Sequence, residues 1–415
     1  MNLRLHSRAG AILLAALLAA LLLPAAAVPA LAASGWEFER LEGSYDRPDL
    51  RGTKLNVINW GEYISDGSEG SMDIVAEFRR LTGIQITYTQ FETNESLYSV
   101  MAAGGGNYDV IFPSDYMIER LIAEDRLQKL NYENIPNYKY IPAENKGLFF
   151  DPADAYSVPY TFGMVGIIYN ASMVEGPVDS WTALWDERYS GNILQFDNPR
   201  DAFGIAQFIL GQDANTEDPA DWQAAAELLK RQRPVVQQYV MDQVFDLMED
   251  GEAALTPYYC GDYNLMRQNN PYLAFVYPKE GTNYFYDSMC IPKGATNVAA
   301  AELFINFMLE PEVALANANT ICYGAPHTAV RADVNYDWRD NEILYPAELP
   351  ANVQYFHNLS QSTLGLMNDL WTEVKLDAGA GNHATPRNLL IALGGVAALP
   401  LAAAVVVAIR KKKRA

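Results

Sequence analysis

Short apolar runs with the two-residue period of a β-strand alternate along this chain with runs that have the period of an α-helix. Residues 55–60 form a strand-like run, and residues 74–81 then carry apolar side chains at helical spacing. Gly83 is a suitable C-terminal stop for that helix, and residues 84–88 alternate again as a strand. Because such a pattern places helices on both faces of a mostly parallel sheet, the sequence predicts an α/β fold.

The alternation continues through the next two units. Asn94 is a candidate cap for a helix over residues 97–101, and residues 108–112 form the strand that follows. Ser114 is a candidate cap for a further helix, whose apolar stripe lies within residues 117–122. We therefore expect several parallel strands whose carboxyl ends meet along one edge of the sheet.

Aromatic and acidic side chains follow two of these strands directly. The first strand, residues 55–60, ends at Trp60 and is followed by Glu62 and Tyr63. The strand over residues 108–112 is followed by Ser114 and Tyr116. In an open α/β sheet, ligands bind beyond the carboxyl ends of the parallel strands. Aromatic faces attract cations, and carboxylates accept their hydrogen bonds, so this pattern predicts a cleft for an organic cation.

Several segments resemble the spermidine/putrescine-binding proteins of bacterial ABC transporters. They are Asn59 to Tyr63, Pro113 to Tyr116, Val158 to Gly163, Ser180 to Trp185, Pro278 to Gly281, Tyr286 to Pro292 and Ile321 to Gly324. The Ser-Trp-x-x-Leu-Trp and Pro-Lys-Glu-Gly elements are typical of the wider superfamily of extracytoplasmic solute-binding proteins. The aromatic and acidic residues within these segments favour polyamines as the ligand.

The resemblance implies a set of ligand-binding residues, carried over position by position. They are Trp60, Glu62, Tyr63, Ser114, Tyr116, Asp201, Tyr259, Asp262, Phe285, Asp287 and Tyr323. Asp287 matches the characteristic ammonium ligand of the family. Tyr259 stands where the family has a tryptophan, and Asp262 matches an acid of the putrescine-preferring branch. Asn198 stands where the spermidine branch has an acid, so the sequence leaves the preferred polyamine open.

The resemblance also implies a type II periplasmic-binding-protein fold, with two α/β lobes joined by hinge strands and a ligand cleft between them. Lobe one is expected to comprise residues 53–163 and 287–331. Lobe two is expected to comprise residues 164–286 and 332–376.

The two ends of the chain suggest where the protein is located. Residues 1–32 have the charged, apolar and small-residue regions of a signal peptide. Residues 388–409 are apolar and long enough to form a transmembrane helix, and the basic residues 410–415 follow them as an expected cytoplasmic tail. Residues 377–387 read as a linker. These patterns predict an extracytoplasmic protein that is anchored to the cytoplasmic membrane.

The charge of the chain narrows the class of partner. The sequence has 30 Lys plus Arg and 51 Asp plus Glu, and eight of the basic residues lie in residues 1–32 and 387–415, which contain no acids. The remaining body therefore has 22 basic and 51 acidic side chains, a net charge of −29. Such a field favours capture of cations and disfavours nucleic acid. The expected partners are a polyamine and the permease subunits of an ABC transporter, and we expect a monomer.

Other functions are less consistent with the motifs. The sequence contains four histidines and lacks the recognisable nucleophile and metal-binding motifs of enzymes, so no catalytic residue, metal or cofactor is expected. Two alternatives stay open: a membrane-anchored binding protein for another small ligand, and a cell-surface protein that binds or hydrolyses glycosides, since aromatic and acidic side chains also suit sugars. Cys290 and Cys322 are a candidate disulfide, although buried thiols are the preferred interpretation.

Overall fold

The computed structural model describes residue 41, residues 45–103 and residues 107–376. The predicted signal peptide (1–32), linker (377–387), membrane span (388–409) and basic tail (410–415) lie outside these residues. Within the described residues, none of the helices has both the length and the apolar composition needed to cross a membrane.

The described residues form strands and helices that alternate through most of the chain. The strands are β1 (Lys54–Trp60), β2 (Gln85–Phe91), β3 (Val110–Ile111), β4 (Leu127–Gln128), β5 (Ser157–Asn170), β6 (Ile193–Phe196), β7 (Val236–Val240), β8 (Leu255–Tyr259), β9 (Leu273–Val276), β10 (Thr282–Pro292) and β11 (Val353–Gln354). The helices are α1 (Ile74–Thr82), α2 (Asn94–Ala102), α3 (Asp115–Ala123), α4 (Pro199–Leu210), α5 (Pro219–Gln232), α6 (Gln243–Glu249), α7 (Cys260–Asn269), α8 (Val298–Met308), α9 (Pro311–Ile321), α10 (Thr328–Ala332) and α11 (Gln361–Leu376).

Two long antiparallel strands, β5 and β10, run through the middle of the sheet and join two groups of shorter strands. The strand order is β2-β1-β3-β10-β5-β8-β6-β7. β1 pairs in parallel with β2 and β3, and β6 pairs in parallel with β7 and β8. β3 joins β10 near its C-terminal end, at Cys290, whereas β8 joins the second half of β5, from Val165 to Tyr169. The two strand groups therefore share β5 and β10.

Among the described residues, the buried side chains form two large clusters. The first cluster includes Phe78 of α1 and Phe304 of α8, whose ring centroids lie 5.2 Å apart. The second includes Phe203 of α4 and Trp222 of α5, at 5.3 Å, and α11 packs against α5. Edge-on and tilted aromatic pairs of this kind add to the hydrophobic stabilisation of each cluster.

The local predictions are confirmed in outline, and the predicted cap of α2 is corrected. α1 ends at Gly83, whose left-handed backbone (φ 73°) few other residues adopt readily. The cap of α2 is Thr93 and not Asn94: the Thr93 hydroxyl accepts the Ser96 N–H. Asn94 lies inside the helix, where its amide is bonded to Ser114. Cys260, Cys290 and Cys322 are all buried free thiols, so Cys290 and Cys322 form no disulfide.

Candidate functional site

A cavity of about 660 Å³, including its open mouth, lies between the two strand groups. Ten of the eleven predicted site residues line it: Trp60, Tyr63, Ser114, Tyr116, Asp201, Tyr259, Asp262, Phe285, Asp287 and Tyr323. The structure thus brings together residues that are up to 263 positions apart in the chain.

Glu62 is the predicted residue that does not line this cavity. It lies on a neighbouring, wider cavity together with Asp66 and Asp73, and Tyr63 forms part of the wall of both. The backbone at Glu62 is left-handed (φ 49°), in the turn that follows β1. Because of this turn, the Glu62 side chain lies on the neighbouring, wider cavity, here called the outer cavity, whereas Trp60 and Tyr63 line the first cavity.

Asp287 is held by two hydroxyl groups that reach it from separate parts of the chain. The Ser114 hydroxyl donates to Asp287 Oδ1 over 2.6 Å, and the Tyr63 hydroxyl donates to Oδ2 over 2.7 Å. Ser114 caps no backbone N–H of α3, because its oxygen is occupied by Asp287 and Asn94. Burial raises the pKa of Asp287 to about 6, and the hydroxyl donors oppose that rise.

Asp201 lies in the first turn of α4, immediately after Pro199 and Arg200. Its Oδ2 accepts hydrogen bonds from the Tyr259 hydroxyl (2.8 Å) and from the Asn198 amide (2.7 Å). Burial raises the pKa of Asp201 to about 7. Its donors are neutral, so this carboxyl also lacks a direct cationic partner among the described hydrogen bonds.

A third acid, Asp262, occupies the first turn of α7. Burial raises the pKa of Asp262 well above its ordinary value, while the nearby Tyr323 hydroxyl opposes the rise. Gly261 permits this approach, because a Cβ at that position would overlap the Tyr323 ring. Asp287, Asp201 and Asp262 are thus all buried acids with hydroxyl neighbours.

Aromatic rings connect these acids. Phe285 lies between Tyr259, at 5.5 Å between ring centroids, and Tyr323, at 6.3 Å. Tyr323 in turn packs edge-on against Tyr63 at 4.9 Å. Trp60 closes one side and is fixed by a 2.7 Å hydrogen bond from its Nε1 to the Phe112 carbonyl oxygen. The walls therefore alternate flat apolar faces with carboxyl groups.

The cavity also contains residues that the sequence did not point out as ligands: Glu92, Asp115, Asp242, Asn283, Tyr258 and Phe356. The sequence could have predicted Asp115 as a site residue, since it stands between Ser114 and Tyr116 in the same strand-end turn. Asn283 could have been predicted as well, because it alternates with Phe285 and Asp287 along β10. Asp242 and Phe356 carried no local signal, and tertiary packing alone brings them to the cavity.

The charge of the cavity wall is one-sided. Six carboxyl groups line it, and none of the described residues on the wall is a lysine or an arginine. Arg200 is buried behind the wall, where its guanidinium donates to the Ala214 carbonyl and to Asn215 and stacks 4.0 Å from the Phe356 ring. Desolvation lowers the pKa of Arg200 to about 10. The cavity is therefore suited to a ligand that brings its own positive charges.

Comparison with known proteins identifies the family to which the chain belongs. Residues 73–344 match the family of bacterial extracellular solute-binding proteins. The spermidine/putrescine-binding periplasmic protein of Escherichia coli is 32% identical over 330 residues, which cover 78% of this chain and 92% of that protein. The putrescine-binding periplasmic protein SpuD of Pseudomonas aeruginosa is 28% identical over 344 residues, which cover 77% of this chain and 91% of that protein.

A solved structure shows that the likeness extends to the fold. A protein of Listeria monocytogenes, described as a candidate spermidine/putrescine ABC transporter, superposes with a TM-score of 0.74 at 34% sequence identity. The match covers 78% of this chain and 99% of the Listeria chain.

The buried acids predict an unusual pH dependence for the unliganded protein. The pKa of Asp201 is about 7 in the folded protein and about 4 in an unfolded chain, so the folded state binds the proton more tightly. The stabilisation of the folded state by the protonated Asp201 carboxyl is therefore complete below pH ~4 and is lost as the pH rises through about 7. We expect Asp201 to cost on the order of 2 kcal/mol in the free energy of unfolding between pH 5 and pH 8.

Urea unfolding of the parent and of Asp201→Asn at both pH values measures this loss, because the neutral amide imitates the protonated acid. The parent should lose more stability than Asp201→Asn as the pH rises. Equal pH slopes for the two proteins would show that Asp201 is not a strained buried acid.

Proposed function

The chain belongs to the family of bacterial extracellular solute-binding proteins and has their mixed α/β fold, and we propose that it binds a linear polyamine for an ABC importer. Members of this family bind solutes for transporters and are not enzymes. The observation that carries the proposal is Asp287, a buried carboxyl whose donors among the described residues are the neutral hydroxyls of Ser114 and Tyr63. It stands two residues from the wall-forming Phe285.

A polyamine satisfies both chemical requirements of the cavity. Its ammonium groups supply the charge-assisted hydrogen bonds that buried carboxylates lack, and such bonds are about twice as strong as neutral ones. Its methylene segments pack on flat aromatic faces, and each face also attracts a nearby ammonium by ~0.5 to 2 kcal/mol. The names of the relatives from Escherichia coli and Pseudomonas aeruginosa support the same ligand class.

Ligand exchange is proposed to occur by movement of two lobes about β5 and β10, as in a type II binding protein. The lobes are residues 53–163 with 287–331, and residues 164–286 with 332–376. In support, the cavity wall draws on both groups, and a Cβ at Gly61 would overlap the Asp242 carboxylate of the opposite group. This close approach supports a cleft that closes around its ligand and removes much of the ligand from water.

The proposal includes a location outside the cytoplasm, with the body delivered by a signal peptide (1–32) and held by a membrane span (388–409). The support is the apolar sequence of these two segments and the basic residues that follow the second. A permease in the same membrane is the proposed partner, and the body is proposed to act as a monomer.

Replacing Asp287 by asparagine tests the proposed function. The side chain keeps its size and loses its charge, so polyamine binding should weaken by about 2 to 5 kcal/mol, as when one partner of a buried charge pair is removed. The melting temperature without ligand should not fall, since burial already disfavours the charge. Calorimetric titration and thermal unfolding measure the two effects.

Asp333→Asn is the matched control, because Asp333 lies outside the cavity wall. It should bind polyamine like the parent. Equal affinities for the parent and Asp287→Asn would remove Asp287 from the site. Failure of the parent to bind any polyamine would refute the function itself.

Deleting residues 388–415 tests the location. If residues 388–409 are the anchor, fractionation should move the shortened protein from the membrane fraction to the soluble extracytoplasmic fraction. A deletion of residues 410–415 alone is the control and should leave the protein with the membranes. A shortened protein that still sediments with membranes would contradict a C-terminal anchor.

A further inference from the structure

Asn283 is a buried polar residue of the cavity wall that the proposed ligand set does not include. It lies on β10 with 5% of its surface exposed, and it lines the cavity. Its Oδ1 atom is buried and has no hydrogen-bond partner in the part of the chain that the structure describes. Buried side-chain oxygens are rarely left in this state, because an unmade hydrogen bond forfeits the solvation that the atom had in water.

The position of Asn283 relates it to Asp287. Side chains two residues apart on a strand point to the same face, so Asn283, Phe285 and Asp287 form one row along β10. The pairing of β10 with β5 is regular from Tyr284 to Asp287 and shifts only after Asp287, so no bulge interrupts the row. At ~3.3 Å per residue, the backbone of Asn283 lies roughly 13 Å along the strand from that of Asp287.

We infer that Asn283 is a further binding residue, whose amide oxygen accepts a hydrogen bond from the ligand nitrogen farthest from Asp287. This inference rests on the proposed function. Phe285 lies between the two polar ends of the row and packs against the methylene groups that separate the ligand nitrogens. These three side chains therefore favour a linear amine that has at least two nitrogens and a carbon chain long enough to extend past Phe285.

A neutral acceptor suits this end of the row. Six carboxyl groups already line the cavity, and a seventh would add repulsion to a wall that contains no cationic side chain among the described residues. An amide oxygen accepts from an ammonium without adding charge. Asn283 thereby adds a hydrogen bond for the ligand without raising the cost of burying the wall.

A second buried amide provides an internal comparison. Gln207 of α4 is fully buried, both of its amide atoms lack partners among the described residues, and it does not line the cavity. An unpartnered amide is therefore not by itself a binding residue. Asn283 differs in facing the space where the ligand is proposed to bind.

Replacing Asn283 by leucine in the full chain tests the inference. The substitution removes the acceptor and keeps a similar volume, so spermidine affinity should fall about 10- to 100-fold, the loss expected for a hydrogen bond to a charged group. The melting temperature without ligand should stay the same or rise, because an unpaired polar atom leaves the interior. A merely structural role would instead lower the melting temperature and leave the affinity unchanged.

Two further variants sharpen the result. Gln207→Leu is the matched control and should bind spermidine like the parent. Asn283→Asp keeps an acceptor at the same position, so it should bind spermidine more tightly than Asn283→Leu at pH 8. If the leucine variant does not fold, Asn283→Ala replaces it as the variant without an acceptor, and its affinity is compared with that of Asn283→Asp.

The inference is overturned if spermidine binds Asn283→Leu as tightly as the parent. It is also overturned if Asn283→Asp binds more weakly than Asn283→Leu, since the amide would then act as a donor. These outcomes differ from failure of the proposed function, in which the parent itself binds neither spermidine nor putrescine.

Discussion

Burying carboxyl groups whose described hydrogen-bond donors are neutral carries an electrostatic cost, and this cost governs the chemistry of the cavity. Asp201, Asp262 and Asp287 are all buried, and their hydrogen-bond partners are hydroxyl and amide groups. Desolvation raises the pKa of each of them. Asp201 and Asp287, whose pKa values are raised to about 7 and about 6, are therefore partly protonated near pH 6 to 7 before a cation binds. A polyamine supplies the positive charge that this acidic wall favours, whereas a neutral sugar does not.

The architecture explains how such a site can be both closed and accessible. β5 and β10 are the long strands shared by the two strand groups, and Phe285 and Asp287 lie on β10 itself. The acids of α4 and α7 come from one group, and the Ser114 and Tyr63 hydroxyls come from the other. Separation of the groups would expose the acids to water and lower the cost of their ionisation. Closure around a cation would restore the burial while providing the missing partner.

The sequence predicted those parts of the fold and site that depend on local pattern. Strand ends followed by aromatic and acidic residues located Trp60, Tyr63, Ser114 and Tyr116 on the cavity wall, because parallel strands bring their carboxyl ends to one edge. Glu62 shares that segment but lies on the outer cavity, since the direction of its side chain depends on a left-handed turn that composition does not reveal.

Other wall residues have no local pattern of their own. Asp242 reaches the cavity from the start of α6, and Phe356 reaches it from a segment fixed by Asn215, which donates to the Tyr355 carbonyl and accepts the His357 N–H. These positions result from packing between distant segments. Asn283 is intermediate: the two-residue period of β10 relates it to Phe285 and Asp287. Only the folded structure shows that it lines the cavity and that its amide oxygen has no hydrogen-bond partner among the described residues.

Ligand binding is expected to replace the protons of buried carboxyl groups by ligand cations. Calorimetric titration of the protein with putrescine and spermidine at pH 6, repeated in buffers of different ionisation enthalpy, measures it directly. One polyamine should bind per chain, with net release of protons to the buffer, because burial raises the pKa values of Asp201 and Asp287 to about 7 and about 6 before binding. Binding of a sugar in place of any polyamine, or polyamine binding without proton release, would contradict this expectation.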